Sequence, residues 1–362
     1  MKNKKIFFLI LIPLFIILVS YFLISSSISN DKSAFLKSLF SDKQKQLIAK
    51  YIFPYKFISI QEKKISQINN RLVQQEYLYD YMIPKFPKME IELKESGKDI
   101  NLIKKSQSEL SKNYKLEKFR ISDGFYLGIH RRFPGSGYID FYQKNLVILS
   151  SRGILAYGKL NNLDDKKFFK QIKNNIDDFL DLDKFLKERR LSIKDLTIIG
   201  DKIYVSYSEE IKKNCWATSI IFGKLNFDII KFEKLFSPKE CVNSVNEDNE
   251  FNPVQAGGRI IGLNGNHILF SIGDYRLRHL SQNKESIFGK IIKINIDNKK
   301  YEIFSMGHRN PQGLLYDKEN NFVLSTEHGP MGGDEINIID IKRTNQEGVL
   351  NFGWAISSYC EH

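Results

Sequence analysis

"RIIGLNGNHILFSIGD", Arg259–Asp274, holds two apolar runs, Arg259–Leu263 and Ile268–Gly273, on either side of Asn264-Gly265-Asn266. Asn and Gly tolerate the positive φ of a tight β-turn, so the stretch reads as a hairpin. The same unit recurs along the chain. Leu196–Ile199 and Ile203–Ser208 flank Gly200-Asp201, while Leu314–Tyr316 and Phe322–Thr326 flank Lys318–Asn320. Leu146–Ser150 repeats the second strand once more, and with Leu146, Ile203, Ile268 and Phe322 as markers the copies start 57, 65 and 54 residues apart. Near-regular spacing of β units marks a repeat architecture, and units of this length predict an all-β β-propeller with about four blades. A sandwich would house the same strands, but it does not predict the spacing.

Working outward, residues 30–120 read as a mostly helical region. Ser41-Asp42-Lys43-Gln44 has the form of a capping box, Ile65, Ile68 and Leu72 recur at helical spacing, and Pro54, Pro84 and Pro87 break the region into pieces. Ahead of it, residues 1–29 hold the basic start Met1-Lys2-Asn3-Lys4-Lys5 and then Ile6–Ile24, an uncharged apolar run of nineteen residues. About 20 such residues span a bilayer, so the run predicts a membrane anchor. Ser25-Ser26-Ser27 leaves a cleaved signal peptide as the other reading. Lysines on the near side of the span place the rest of the chain on the extracytoplasmic, periplasmic side. Residues 121–362 form the propeller region.

The 362 residues carry 55 Lys and Arg against 42 Asp and Glu, a net charge of +13. These cations are spread among Asn and Ile rather than gathered with aromatics into a patch, so the reading is a solvated basic surface and no nucleic-acid partner. Of the three cysteines, Cys215 and Cys241 flank one strand-like passage and are expected to pair, the alternative being two buried thiols; Cys360 is near the end. None has zinc or CxxC spacing.

In a propeller the equivalent loops of every blade emerge on one face. Gly273-Asp274, Gly307-His308-Arg309-Asn310 and Glu327-His328-Gly329-Pro330 are therefore expected around one funnel that offers a guanidinium, an imidazole, carboxylates and free carbonyls. Arg309 suits a carboxylate, and the Gly329-Pro330 carbonyls suit a hard cation such as calcium.

Gly307–Gly313 (GHRNPQG), Glu327–Asn337 (EHGPMGGDEIN) and Asn351–Trp354 (NFGW) resemble the quinoprotein glucose/sorbosone dehydrogenase family, with weaker likeness through Gly257-Gly258-Arg259, Ser271–Asp274 and Phe288–Ile292. The resemblance implies a six-bladed propeller, of which about four blades are present. It implies pyrroloquinoline quinone and calcium as cofactors and oxidation of an aldose sugar, the electron acceptor staying open. Carried over by motif, the quinone-contacting pair falls on Arg309 and Asn310, with His328 in the same cofactor loop. The calcium-binding carbonyls fall on Gly329 and Pro330, and the supporting acidic pair on Asp334 and Glu335. One departure weighs against turnover. The family's catalytic His stands four residues before the Arg of a GGR-like motif, and here that position is Gln255. An amide takes no proton near neutrality, and losing a general base typically costs about 10²–10⁴-fold in rate. The competing expectation is a catalytically impaired propeller that binds carbohydrate or a protein partner.

Overall fold

The computed structural model describes residues 54–76, 86–111, 114–121, 124–125, 137–159, 168–181, 191–246, 250–330 and 332–356. Ile6–Ile24, the capping box at Ser41 and Cys360 lie outside the described residues. Among the described residues no helix is long and apolar enough to cross a membrane. The chain divides into two compact units, Met1–Met82 and Ile83–His362. The described part of the first is helix α1 (Pro54–Glu76), which starts on a proline, where a missing N–H costs nothing. Ile58, Ile65, Ile68 and Leu72 share one face of α1 and stay exposed.

The second unit opens with α2 (Phe86–Ser96) and then turns to β structure earlier than the sequence suggests. Strands β1 (Ile100–Ser111) and β2 (Tyr114–Ile121) form an antiparallel hairpin inside the region expected to be mostly helical. The cause is tertiary. Ile100 pairs with Phe169 and is sealed into a small cluster with Phe125, Ile148, Ile154 and Ala156, which overrides the weak local preference of a Lys-, Ser- and Gln-rich segment.

Four sheets follow in series, antiparallel apart from one short parallel edge strand in the third. The first adds β3 (Gly137–Tyr142), β4 (Asn145–Ser150), β5 (Leu155–Lys159) and β6 (Phe168–Gln171) to that hairpin. A short parallel pair joins β7 (Lys173–Asn174) to a later two-residue strand at Ile229–Ile230. The second sheet holds β8 (Ile193–Ile199), β9 (Lys202–Lys212), β10 (Cys215–Lys224), β12 (Glu233–Phe236) and β13 (Val242–Asn243), the strand at Ile229–Ile230 being β11. The third holds β14 (Gly257–Gly262), β15 (His267–Ile272), β16 (Lys290–Asn295), β17 (Tyr301–Met306) and, at its far edge, β21 (Leu350–Asn351). The fourth holds β18 (Pro311–Asp317), β19 (Phe322–Glu327) and β20 (Glu335–Asp340), followed by a short helix α3 (Ile341–Glu347) capped by the Asp340 side chain. All three hairpins expected from the sequence are present in register: β8–β9, β14–β15 and β18–β19.

One edge strand of each sheet packs on the next in order, β3 on β8, β8 on β14 and β14 on β18. Each is an edge strand whose free backbone groups need partners. Side chains of the preceding sheet supply them. Asp140 accepts from Ile198 N at 2.6 Å and Tyr138 donates to Ile193 O at 2.7 Å. One sheet on, Asp195 accepts from Ile260 N at 2.8 Å and Thr197 donates to Ile260 O at 3.0 Å. Arg259 extends the series to Gln312 O at 3.1 Å while pairing with Asp195. Between these staples lie apolar layers: a large core under the first three sheets, and Leu269, Ile291, Phe304, Val323 and Ile339 between the third and fourth.

Cys215 opens β10 and is bonded to Cys241, their Cα atoms 5.3 Å apart. β13 then pairs back on Cys215 and Trp216, so the bridge closes a loop already held by strand pairing.

Candidate functional site

Antiparallel meanders send alternate turns to opposite ends. The segments around Gln255, 273–278, 307–310, 328–334 and 352–356 all leave the third and fourth sheets at the same end. Close approach makes them one site. A Cβ on Gly273 would overlap the Gln255 carbonyl, which instead accepts from Tyr275 N at 2.9 Å; a Cβ on Gly329 would overlap the Gly333 carbonyl.

The floor is a buried polar network. His308 is 0% exposed; its Nε2 lies 2.8 Å from Ser305 Oγ and its Nδ1 2.9 Å from Glu327 Oε1. Glu327 also accepts from Arg309 N at 2.8 Å and Asn337 Nδ2 at 2.7 Å. Burial acts to raise the Glu327 carboxyl, but the charge and hydrogen bond of His308, with the Arg309 and Asn337 donors, outweigh it and hold it below the ordinary value. Ser305, His308 and Glu327 have the connectivity of a hydrolytic triad, yet all three are enclosed and Phe352 stacks on the imidazole at 5.0 Å. The network has no access to a substrate and serves to fix the Arg309 backbone.

Above it, Arg309 gathers four elements. Its Nη1 donates to His328 O at 2.7 Å and Gly329 O at 2.9 Å, and its guanidinium lies 5.5 Å from the Trp354 ring centroid. The Gln255 amide is oriented by its two neighbours: the oxygen accepts from Arg309 Nη2 at 3.0 Å and the nitrogen donates to Asp274 Oδ1 at 3.0 Å. Asp274 further accepts from Arg276 N and from Trp354 Nε1, both at 2.8 Å. Burial pushes its carboxyl up to about 6 against these donors.

Tyr275 and Arg276, consecutive non-glycine residues, both take left-handed φ, of 51° and 75°. Tyr275 is locked by its hydroxyl, 2.7 Å from Thr218 Oγ1, and by Phe251 and Phe288 against its ring. The turn carries Arg276 and Arg278, both half-exposed and within 3.9 Å of Glu250. Their charges reach Arg309 as well. Sequence reasoning missed both arginines; the available signal was the Arg-x-Arg after Gly273-Asp274-Tyr275.

The motif residues therefore meet, but not all in the roles expected of them. Gln255 and Arg309 are in direct contact. The Asn310 side chain points to structure instead: it is 2% exposed and its Oδ1 accepts from Gly257 N at 3.1 Å. His328 sits at the rim, 60% exposed, with its Nδ1 3.7 Å from Asp334 Oδ2. Asp334 accepts from Gly329 N at 3.0 Å, and Glu335 accepts from Asn337 Nδ2 at 3.0 Å. Pro330 O accepts from Gly333 N at 2.8 Å. Among the described residues no group of three or more His, Cys, Asp or Glu side chains could hold a metal ion. His267 begins β15, at the opposite end of that strand from Asp274, and its ring lies 3.3 Å from Asn295 Nδ2.

Serial sheets with a charged loop cluster at one end define a mostly β unit whose candidate site lies on its loops. Residues 199–362 match the family model described as Glucose / Sorbosone dehydrogenase, and over that segment the chain is glucose/sorbosone dehydrogenase-like. It is 27% identical over 171 residues to the Aldose sugar dehydrogenase YliI of Escherichia coli (strain K12), covering 44% of this chain and 43% of that protein. It is 36% identical over 77 residues to Quinoprotein glucose dehydrogenase B of Acinetobacter calcoaceticus, 18% of this chain and 14% of that one. The chain thus spans under half the length of these relatives. The crystal structure of the soluble aldose sugar dehydrogenase from Escherichia coli in the apo-form is similar with a TM-score of 0.46 at 20% identity, covering 61% of this chain and 63% of that one.

Proposed function

We propose that this chain is an arc of a β-propeller belonging to a sugar dehydrogenase-like protein, and that its loop cluster receives pyrroloquinoline quinone and an aldose. The observation that carries this reading is the Arg309 guanidinium beside the Trp354 ring and Gln255, with Arg276 and Arg278 on the adjoining turn, where they pair with Glu250. Guanidiniums grip carboxylates, and an indole face suits a flat ring, so the group set fits a planar, polyanionic quinone. When bound, the quinone would supply the acceptor for the two electrons taken from the sugar. Arg309, Arg276 and Arg278 would hold its carboxylates. A proton must leave the sugar hydroxyl as well, and by motif spacing Gln255 falls at the family's base position. Calcium, also implied by the motifs, does not fit the carbonyls as they stand, since Gly329 O accepts from a guanidinium and Pro330 O from a backbone N–H. Ile6–Ile24 supports membrane attachment with the sheets on the extracytoplasmic side.

Gln255 favours a second reading, a propeller that binds a sugar or a protein partner without turnover. Calorimetric titration with the quinone, followed by sugar-dependent reduction of an artificial acceptor, separates the two. The expected result is quinone binding with weak turnover that rises at least about tenfold in Gln255→His, a modest share of what a general base gives. Absence of quinone binding sinks the oxidoreductase reading, and brisk turnover by the natural protein would show that Gln255 is no obstacle.

A further inference from the structure

We infer that the cleft takes its anionic ligand without a divalent cation, because the Arg309 guanidinium already sits on Gly329 O, one of the two carbonyl oxygens that a cation would need. The inference rests on the quinone reading for the identity of the ligand, though not for the state of the carbonyls. Calcium requires six to eight oxygens at about 2.3–2.6 Å, several of them anionic. Here His328 O and Gly329 O both point at Arg309 Nη1, 2.7 and 2.9 Å away. Pro330 O already accepts from Gly333 N, Asp334 Oδ1 from Gly329 N and Glu335 Oε2 from Asn337, so a cation there would have to share each of these oxygens with a donor. A dication seated on Gly329 O would share one oxygen with a guanidinium, and like charges that close repel strongly.

The guanidinium is held by contacts on its Nη1 and Nη2 groups and by the Trp354 ring. The Trp354 face, the Gln255 oxygen and two carbonyls bind it, while the buried His308–Glu327 network fixes its backbone. Of its five N–H groups these contacts use two on Nη1 and one on Nη2. One N–H on Nε and one on Nη2 remain to donate to a ligand. Arg309 therefore does for the loop at 328–330 what a metal would do: it neutralises converging carbonyl dipoles and presents positive charge to the incoming anion. Gln255 is a positioning residue in this arrangement, since its amide sets the plane of the guanidinium and ties it to Asp274.

The test uses the full chain, with calcium chloride alone and pyrroloquinoline quinone as probes, read by thermal unfolding and by calorimetry in EDTA and in excess calcium. For the natural protein we expect the same Tm in both media and a quinone affinity that agrees within about twofold. Arg309→Ala should bind quinone about tenfold or more weakly, the usual cost of a lost charge-assisted hydrogen bond, and should gain a calcium-dependent rise in Tm as its carbonyls are freed. A natural protein whose quinone affinity collapses in EDTA overturns the inference and leaves the quinone reading standing. If quinone binds in neither medium, that reading fails, and calcium alone still decides: a Tm rise in the natural protein overturns the inference, and no rise supports it. Arg309→Lys, which keeps the charge, covers the case in which the alanine variant does not fold; it should stay insensitive to calcium, and a calcium response there counts against the inference.

Discussion

Glu327 ends β19 and Asp274 follows β15, so two enclosed carboxylates close hairpin strands at the same rim, one at the floor and one in the wall. Burial works to raise both. At Glu327 the His308 imidazole and the Arg309 and Asn337 donors reverse the effect and hold the carboxyl below its ordinary value. At Asp274 the donors are neutral, Arg276 N and Trp354 Nε1, and Arg309 contributes less than they do, so the carboxyl stays raised, at about 6. What distinguishes them is an imidazole in direct contact with Glu327, which Asp274 lacks. The floor is locked, while the wall retains a group whose charge and contacts can change when something binds.

The comparison can be broken most directly at the floor. Glu327→Ala would leave His308, Arg309 N and Asn337 without their shared acceptor, and breaking such a buried pair costs about 3–5 kcal/mol in urea unfolding. A loss below about 1 kcal/mol would show that the floor is not locked. A covalent tie gives the next yardstick: Cys215→Ser with Cys241→Ser, opening a loop with a sequence separation of 26, should cost roughly 3 kcal/mol.

The pH dependence sharpens the contrast through its sign. Asp274, raised from 3.8 to about 6, favours the folded state fully at pH below 3.8, and that contribution is lost as pH rises through about 6. Glu327 acts the other way: its contribution is present above the ordinary carboxyl value and is lost as pH falls through its depressed one. Asp274→Asn should therefore remove the decline between about pH 4 and pH 6 in urea midpoints and leave the acid limb. An unchanged profile would mean that Asp274 is as firmly ionised as Glu327. The smallest effect belongs to neither region. Arg343→Ala removes an exposed i,i+4 pair with Glu347 on α3 and should not move the urea midpoint measurably.

The hairpins were legible because their signals are local: alternating apolar residues and Gly or Asn at the turns fix β8–β9, β14–β15 and β18–β19 without outside help. β1 was not: β2 pairs along it, but its start is anchored by Phe169, far along the chain, and its polar residues give no local strand signal. The site divides the same way. Gln255 and Arg309 follow from motif spacing. The direction of the Asn310 amide and the occupation of the Gly329 and Pro330 carbonyls depend on where Gly257, Arg309 and Gly333 arrive in space. Arg276 and Arg278 reach the rim through a left-handed Tyr-Arg turn, which no residue type in that turn announces.

The carboxylates that staple the sheets give the array a direction. Asp140 lies in β3 and awaits the backbone of β8; Asp195 lies in β8 and awaits that of β14. A ribosome delivers the chain in that order, so the first and second sheets are made with the acceptor for their successor already in place. The next strand docks onto a prepared edge, and no finished sheet has to reopen to admit it. Until that strand arrives, the waiting Asp leaves a charge on an open edge, which discourages that edge from pairing with another nascent chain. The same two residues that hold the finished sheets together thus guard them while they are being made.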